Sequence, residues 1–198
     1  VGSAAVAASA VAGAAAVAVS VAAALREGGE SMDWGRWLRH VFATRTARRR
    51  AFPVEALDAI EQAITASERH HSGEIRFAIE GSLEPGDAWG GKPPRARALE
   101  VFAALGVWDT AANNGVLVYV LLADRVVEIV ADRGFNDCVT AAEWRTVCDD
   151  MEREFRAGRF REGALVGVQD AGRIVARCFP QQPGQRDENE LPNRPTLL

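Results

Sequence analysis

The sequence lacks a basic excess, has few cysteines, and carries none of the short motifs that mark a catalytic nucleophile. A formal net charge of -4 over 198 residues argues against bulk nucleic-acid binding, which needs a positive face to neutralise phosphates. The three cysteines, Cys138, Cys148 and Cys178, are odd in number and have no paired short spacing. They fit neither a disulfide framework nor a zinc knuckle, and are expected to be small, buried or half-buried thiols in a reducing compartment. A cysteine phosphatase needs Cys-x5-Arg so that backbone amides and the guanidinium cradle phosphate; here six residues separate Cys138 from Arg145. There is no paired-Asp phosphatase motif, no Gly-x-Ser-x-Gly elbow and no His-Glu-x-x-His. The Gly-Asp-Ala-Trp-Gly-Gly-Lys-Pro stretch at 86–93 has the wrong spacing for a phosphate loop, and no Ser or Thr follows Lys92.

Leucine and isoleucine are nearly absent from residues 1–25, which hold only Ala, Val, Ser, Gly and one Leu, and no charge precedes Arg26. The stretch is long enough for a span of about 20 residues, but its composition is poor for one and no basic n-region opens it. The first Met is Met32. Residues 1–31 are therefore expected to be an Ala/Val-rich leader or an artefactual extension, with a membrane span as the alternative.

A basic amphipathic segment occupies 32–52. Trp34, Trp37, Leu38, Val41 and Phe42 fall at helical spacing on one face, with Arg36, Arg39, His40 and the arginines of 45–50 around them. Two readings stand: the Trp stripe packs on the domain with the arginines solvated, or the helix lies on a membrane surface. The arginines would place the globular part in the cytoplasm if the leader spans, so the expected location is cytoplasmic, peripheral at or anchored to the inner membrane.

The centre of the chain is the run from Trp108 to Phe135. Residues 115–123 are almost continuously apolar and read as a strand buried on both faces. Asp124-Arg125 makes a turn and 126–131 reads as the return strand of a hairpin. Residues 74–80 alternate, with Ile75, Phe77 and Ile79 on one face and Glu74, Arg76, Ala78 and Glu80 on the other, predicting a strand with one apolar face. Between them lie an irregular Gly- and Pro-rich loop over 81–94, where Trp89 is placed to cap the core, and a helix over 95–105 with Ala98, Leu99, Phe102 and Leu105 inward. That crossover makes strands 74–80 and 115–123 parallel. Pro53 opens a helix that ends at His70-His71-Ser72-Gly73. The histidine pair next to Ser72 is read as polar helix-end residues rather than as a metal or nucleophile site. Thr140 and Glu143 form a capping box for a helix burying Trp144, Val147, Met151 and Phe155. A last helix opens at Arg161 or Glu162, and residues 181–198 read as a disordered tail. The fold class is α/β, a three-layer α/β/α sandwich with a small mixed sheet of strands 74–80, 115–123 and 126–131.

This topology gathers Glu74, Asp109, Asn113, Asn114 and Asp132 at one sheet edge, with His71 and Asp137 near. Hard cations take several oxygen ligands, so Asp109, Asn113 and Asp132, helped by Asn114 or Glu74, are candidate metal ligands. Asp and Asn before a strand also make ordinary turns. Arg125 and Arg133 could bind an anion, or form surface ion pairs.

Several elements in register carry a family resemblance. They are Gly73-Glu74-Ile75 after the first domain helix, the helix from Arg97 to Leu105, Trp108-Asp109, and Asn113-Asn114-Gly115-Val116-Leu117. Asp124-Arg125, Glu128-Ile129, Asp132-Arg133-Gly134, Phe155-Arg156-x-Gly158 and Phe160-x-x-Gly163 complete them. Over about residues 54–179 the chain resembles a TPM domain, a family named from a thylakoid-lumen phosphatase-like protein, a photosystem II repair protein and a worm receptor modulator. It is most similar to short bacterial members that begin at a position like Met32. The resemblance implies an α/β/α sandwich over residues 53–180. It also implies the functions attached to the family: acid phosphatase activity in some members, calcium binding in others, and a LemA-type membrane protein as a neighbour. From these the expected function is an accessory domain binding a protein or membrane partner, with a Ca2+-stabilised site. The alternative is a metal-assisted acid phosphatase acting on phosphomonoesters.

Overall fold

The computed structural model describes residues 33–42, 45–181 and 189–198. The expected leader at 1–31 and part of the expected tail, 182–188, lie outside the described residues. The basic segment forms two helices, α1 (Trp34–Phe42) and α2 (Arg45–Ala51). Pro53 has a φ of -66° and stands directly before α3 (Val54–Ser67), where its missing N–H removes no helical hydrogen bond. Strand β1 (Glu74–Glu80) leads to the short α4 (Pro85–Trp89), then α5 (Pro94–Ala104), β2 (Gly115–Leu121) and β3 (Val126–Ala131). A 3-10 turn at Arg133–Phe135 precedes α6 (Ala141–Arg156) and α7 (Phe160–Cys178), and β4 (Thr196–Leu197) comes last.

The sheet order is β3-β2-β1-β4. β1 and β2 are parallel, with Glu74 opposite Gly115, as the helical crossover requires. β2 and β3 form the expected antiparallel hairpin, with Leu121 opposite Val126. Every residue of β1 and β2 is buried. Ile75, Phe77, Ile79, Val116, Val118 and Val120 face one core with α3, α6 and α7, whereas Leu117, Tyr119 and Leu121 face a second core with α4 and α5. Helices therefore cover both faces, and the fold is the expected α/β/α sandwich. Each large apolar side chain taken fully out of water contributes about 1.5–3 kcal/mol, so the two central strands anchor both layers at once. Thr140 and Glu143 make both bonds of the capping box at the start of α6. α7 lies tight on α6 because Gly167 has no Cβ; one placed there would sit 2.1 Å from the Met151 sulfur.

Five readings are corrected. The second face of β1 is buried along with the first. Glu80 accepts from Arg97 Nε at 3.0 Å and from the Tyr119 hydroxyl, and Arg76 donates to the carbonyl of Arg194 at 2.8 Å, to that of Pro192 and to Thr196 Oγ1. Residues 189–198 are therefore no disordered tail: they cover β1 and add β4 beside Ala78 and Ile79. Cys138 and Cys178 are not free thiols but a disulfide; only Cys148 is free, and burial pushes its thiol up to about 12. Leu99 faces solvent, since α5 turns Ala98 and Val101 inward instead. Within the Gly- and Pro-rich stretch, Pro85 opens a turn of helix, and Lys92 fastens it by donating to Asp87 at 2.7 Å.

Candidate functional site

The start of β1, the start of β2 and the end of β3 share one sheet edge, where the five candidate ligands were expected. Asn113 adopts a φ of 53°, a left-handed conformation that Asn tolerates better than most residues. Its Oδ1 accepts from Arg133 Nε at 2.9 Å, and its carbonyl accepts from Gly134 N–H at 3.0 Å. Asp132 caps the 3-10 turn through Oδ1, which accepts from Arg133 N–H at 2.7 Å. Asn114 is buried; its side-chain amide donates to the Ser72 carbonyl at 2.5 Å, and its backbone N–H reaches Thr110 Oγ1 at 3.0 Å. Glu74 is buried and accepts from the backbone N–H groups of Glu190 at 3.1 Å and Leu191 at 3.4 Å. Glu190 in turn accepts from Ala111 N–H at 3.0 Å, so the C-terminal segment staples this edge. Asp109 is exposed, its backbone N–H closing a turn onto the Gly106 carbonyl at 2.9 Å.

The structure thus links Asn113 with Asp132 through Arg133, seats Asn114 and Glu74 inside, and leaves Asp109 outside. Among the described residues no group of three or more His, Cys, Asp or Glu side chains is placed to hold a metal ion. Two oxygens here, Asn114 Oδ1 and Asp132 Oδ2, are buried without a hydrogen-bond partner. Leaving a buried polar atom unpaired costs about 1–3 kcal/mol.

Residues 50–174, more than half of the chain, match the TPM domain. This chain belongs to the TPM domain family. The NMR structure of BA42 from the psychrophilic bacterium Bizionia argentinensis is similar, with 34% sequence identity and a TM-score of 0.64 over 74% of this chain and 94% of that one. No curated protein matches the chain.

At the other end of this TPM domain's sheet, α1 is held by a cluster that the sequence did not mark. Asp124, in the β2–β3 turn, accepts from Arg36 Nε at 2.9 Å and lies 3.1 Å from His40 Nε2. His40 Nδ1 accepts from Leu83 N–H at 2.9 Å, which places the ring proton on the side of Asp124. Burial holds this imidazole below its ordinary pKa, and Asp124 pulls the other way. Arg36 also donates to the Lys92 carbonyl at 2.8 Å. Trp34, Trp37 and Trp89 meet edge to face with ring centroids 5.5–5.7 Å apart, and Trp37 packs on the second core. Trp34, Trp37 and His40 recur every third residue, which was the available signal for the inner face. Leu38 and Val41, expected to share the Trp face, are instead 39% and 40% exposed beside exposed Arg39. Arg125, at the tip of the turn, has a φ of 55° and is exposed.

Proposed function

We propose that this TPM domain is an accessory module that lies on an anionic membrane surface through α1 and α2. The observation that carries the reading is the outer side of α1. Its inner side is fixed by Trp34, Trp37, Arg36 and His40, so Leu38 and Val41 remain exposed by construction, with Arg39 between them and exposed Arg49 and Arg50 beyond. Apolar side chains flanked by arginines suit a headgroup boundary, where the first enter the acyl region and the second meet lipid phosphates. Among the described residues no helix is long and apolar enough to cross a membrane, which fits a helix lying on the surface. The Cys138–Cys178 disulfide supports an oxidising compartment rather than the cytoplasm expected from the sequence, since such bonds persist where thiols are not kept reduced. Sedimentation of the full chain with vesicles tests the reading. Binding to phosphatidylglycerol-containing vesicles, weakened by salt and reduced at least tenfold in Leu38→Asp/Val41→Asp, is expected. Equal binding to neutral vesicles, or none to either, overturns it.

A second reading has one observation behind it. The unpartnered oxygens of Asn114 and Asp132 are the kind that a hard cation takes, and they support a calcium-stabilised sheet edge. Metal-assisted phosphomonoester hydrolysis would draw on the same atoms, with Asn114 or Glu74 as the helper, and Glu74 already accepts from Glu190 and Leu191. Calcium titration by calorimetry, repeated on Asp132→Ala, tests the site: micromolar binding abolished by the substitution is expected, and no binding at millimolar calcium removes it.

A further inference from the structure

The C-terminal end of α3 carries a pair of side chains that neither sheet end uses. His71 is fully buried. Its Nδ1 lies 2.8 Å from the Gly73 carbonyl oxygen, and because a carbonyl can only accept, Nδ1 carries the proton and Nε2 keeps its lone pair. Nε2 lies 2.9 Å from Ser67 Oγ, so the hydroxyl donates to it. Burial keeps the imidazole below its ordinary pKa, in the neutral, basic form at pH 7. On the facing helix, Gly172 leaves room for the pair: a Cβ there would stand 2.0 Å from Ser67 Oγ and 3.8 Å from His71 Nε2. Ser67 opens on a groove of about 420 Å³ between α3 and α7, walled by Ala63, Ala66 and Ala176, with Gln169 and Arg173 also on its lining.

We propose that Ser67 is a nucleophile toward small activated acyl esters, with His71 as its general base and the Gly73 carbonyl orienting the ring. Hydroxyl, imidazole and fixed acceptor in line are what nucleophile activation requires. The alanine walls leave space for a short acyl chain, and Gln169 and Arg173, the latter ion-paired with Asp170, also line the groove in which negative charge would develop on the carbonyl oxygen. In the first step Ser67 Oγ bonds to the acyl carbon while its proton moves to His71 Nε2. The ester C–O bond then breaks, and the alcohol leaves with that proton. Water repeats the sequence on the acyl-serine, releasing the carboxylic acid and restoring Ser67. This site is independent of membrane docking.

The test treats the full chain with a fluorophosphonate probe and with 4-nitrophenyl acetate. One probe per chain is expected, mapped to Ser67 by mass spectrometry, with ester turnover that Ser67→Ala abolishes. His71→Gln should slow labelling by about 10²–10⁴, the usual contribution of a general base. Ser67→Cys guards against a variant that merely misfolds. Its introduced thiol should react with iodoacetamide at least tenfold faster than an ordinary exposed cysteine, while buried Cys148 and the disulfide-bonded pair stay unmodified. An unlabelled wild-type chain, labelling at another residue, or an introduced thiol in Ser67→Cys no faster than an ordinary one overturns the proposal.

Discussion

Where β1 and β2 begin, the buried side chains of Glu74 and Asn114, the Asp132 cap and the C-terminal segment turn inward and bind one another's backbone. Where those strands finish, Asp124 holds a helix whose outer side carries Leu38, Val41 and Arg39 into solvent. Both ends are rich in polar residues, but the first is closed and the second stays open. A carboxylate or amide beside a strand terminus has free N–H and C=O groups within reach, and satisfying them is its commonest use. Polar density at a strand terminus is therefore weak evidence of a ligand. An apolar side chain held outward by a helix pinned on its other side is stronger, because folding has no use for it there.

The comparison predicts that damage to the closed end unfolds the domain, whereas damage to the open end loosens one helix. The largest effect is expected from reducing Cys138–Cys178. The bond joins residues 40 apart in sequence, for which loop-closure entropy gives about 4 kcal/mol. Urea unfolding with and without reductant should show the midpoint falling accordingly, with buried Cys148 contributing nothing. Next comes removal of residues 189–198. It strips Glu74 of two backbone donors and Arg76 of its oxygen partners, and the loss of these bonds to charged groups is expected to cost about 3 kcal/mol. Hydrogen exchange should rise along β1 first. Protection unchanged at Ala78 and Ile79 would show that the segment is only an ornament on the sheet.

At the open end, Asp124→Asn should cost less, about 1–2 kcal/mol, since one face of its network with Arg36 and Arg39 is solvated. The effect should be local. Amides of α1 lose protection and the emission of Trp34, Trp37 and Trp89 shifts, while β2 keeps its protection. Global unfolding by this substitution would erase the distinction between the two ends.

How much of this could be read from residues alone follows from where each partner comes from. The apolar run of β2, the strand at β1 with its apolar Ile75-Phe77-Ile79 face, the Thr140–Glu143 box and the parallel crossover are local patterns, and they stand in the structure as expected. The burial of Glu74 and Arg76 was illegible because their partners lie more than 110 residues away and are mostly backbone groups, which look alike in every sequence. The C-terminal segment reads as a tail by composition, yet it acts through its carbonyls and amides. The disulfide closes a separation that has no spacing signature. His40 reads as one of the residues around the Trp stripe, although it sits two helical steps of three from Trp34, on the inner face. At the candidate site the residues fall along one end of the sheet, but which of them turn inward depends on that same distant segment.

The smallest prediction sets one histidine from each end against the other. His40 and His71 are both held below the ordinary value of 6.5, in each case by burial first. His40 has the Asp124 carboxylate to favour its charged form, whereas His71 has only the Gly73 carbonyl and a nearby His70 that opposes charging. Below pH 6.5 the unfolded chain binds protons at these positions and the folded chain does not, so stability falls as pH is lowered through that range and is fully present above it. Glu143, pulled down to about 2 mainly by the Thr140 backbone N–H and by Arg177, adds its own loss only below the ordinary carboxylate range. Melting curves between about pH 7 and pH 5 therefore report on the histidines, with Glu128, held above the ordinary carboxylate value by burial, acting in the opposite direction and common to all variants. His71→Asn should flatten the pH slope while lowering stability at pH 7, and Asp124→Asn should steepen it by removing the one carboxylate that favours a charged His40. A slope unchanged in both variants would mean that neither imidazole stays neutral in the folded chain, and that the two ends respond to protons alike.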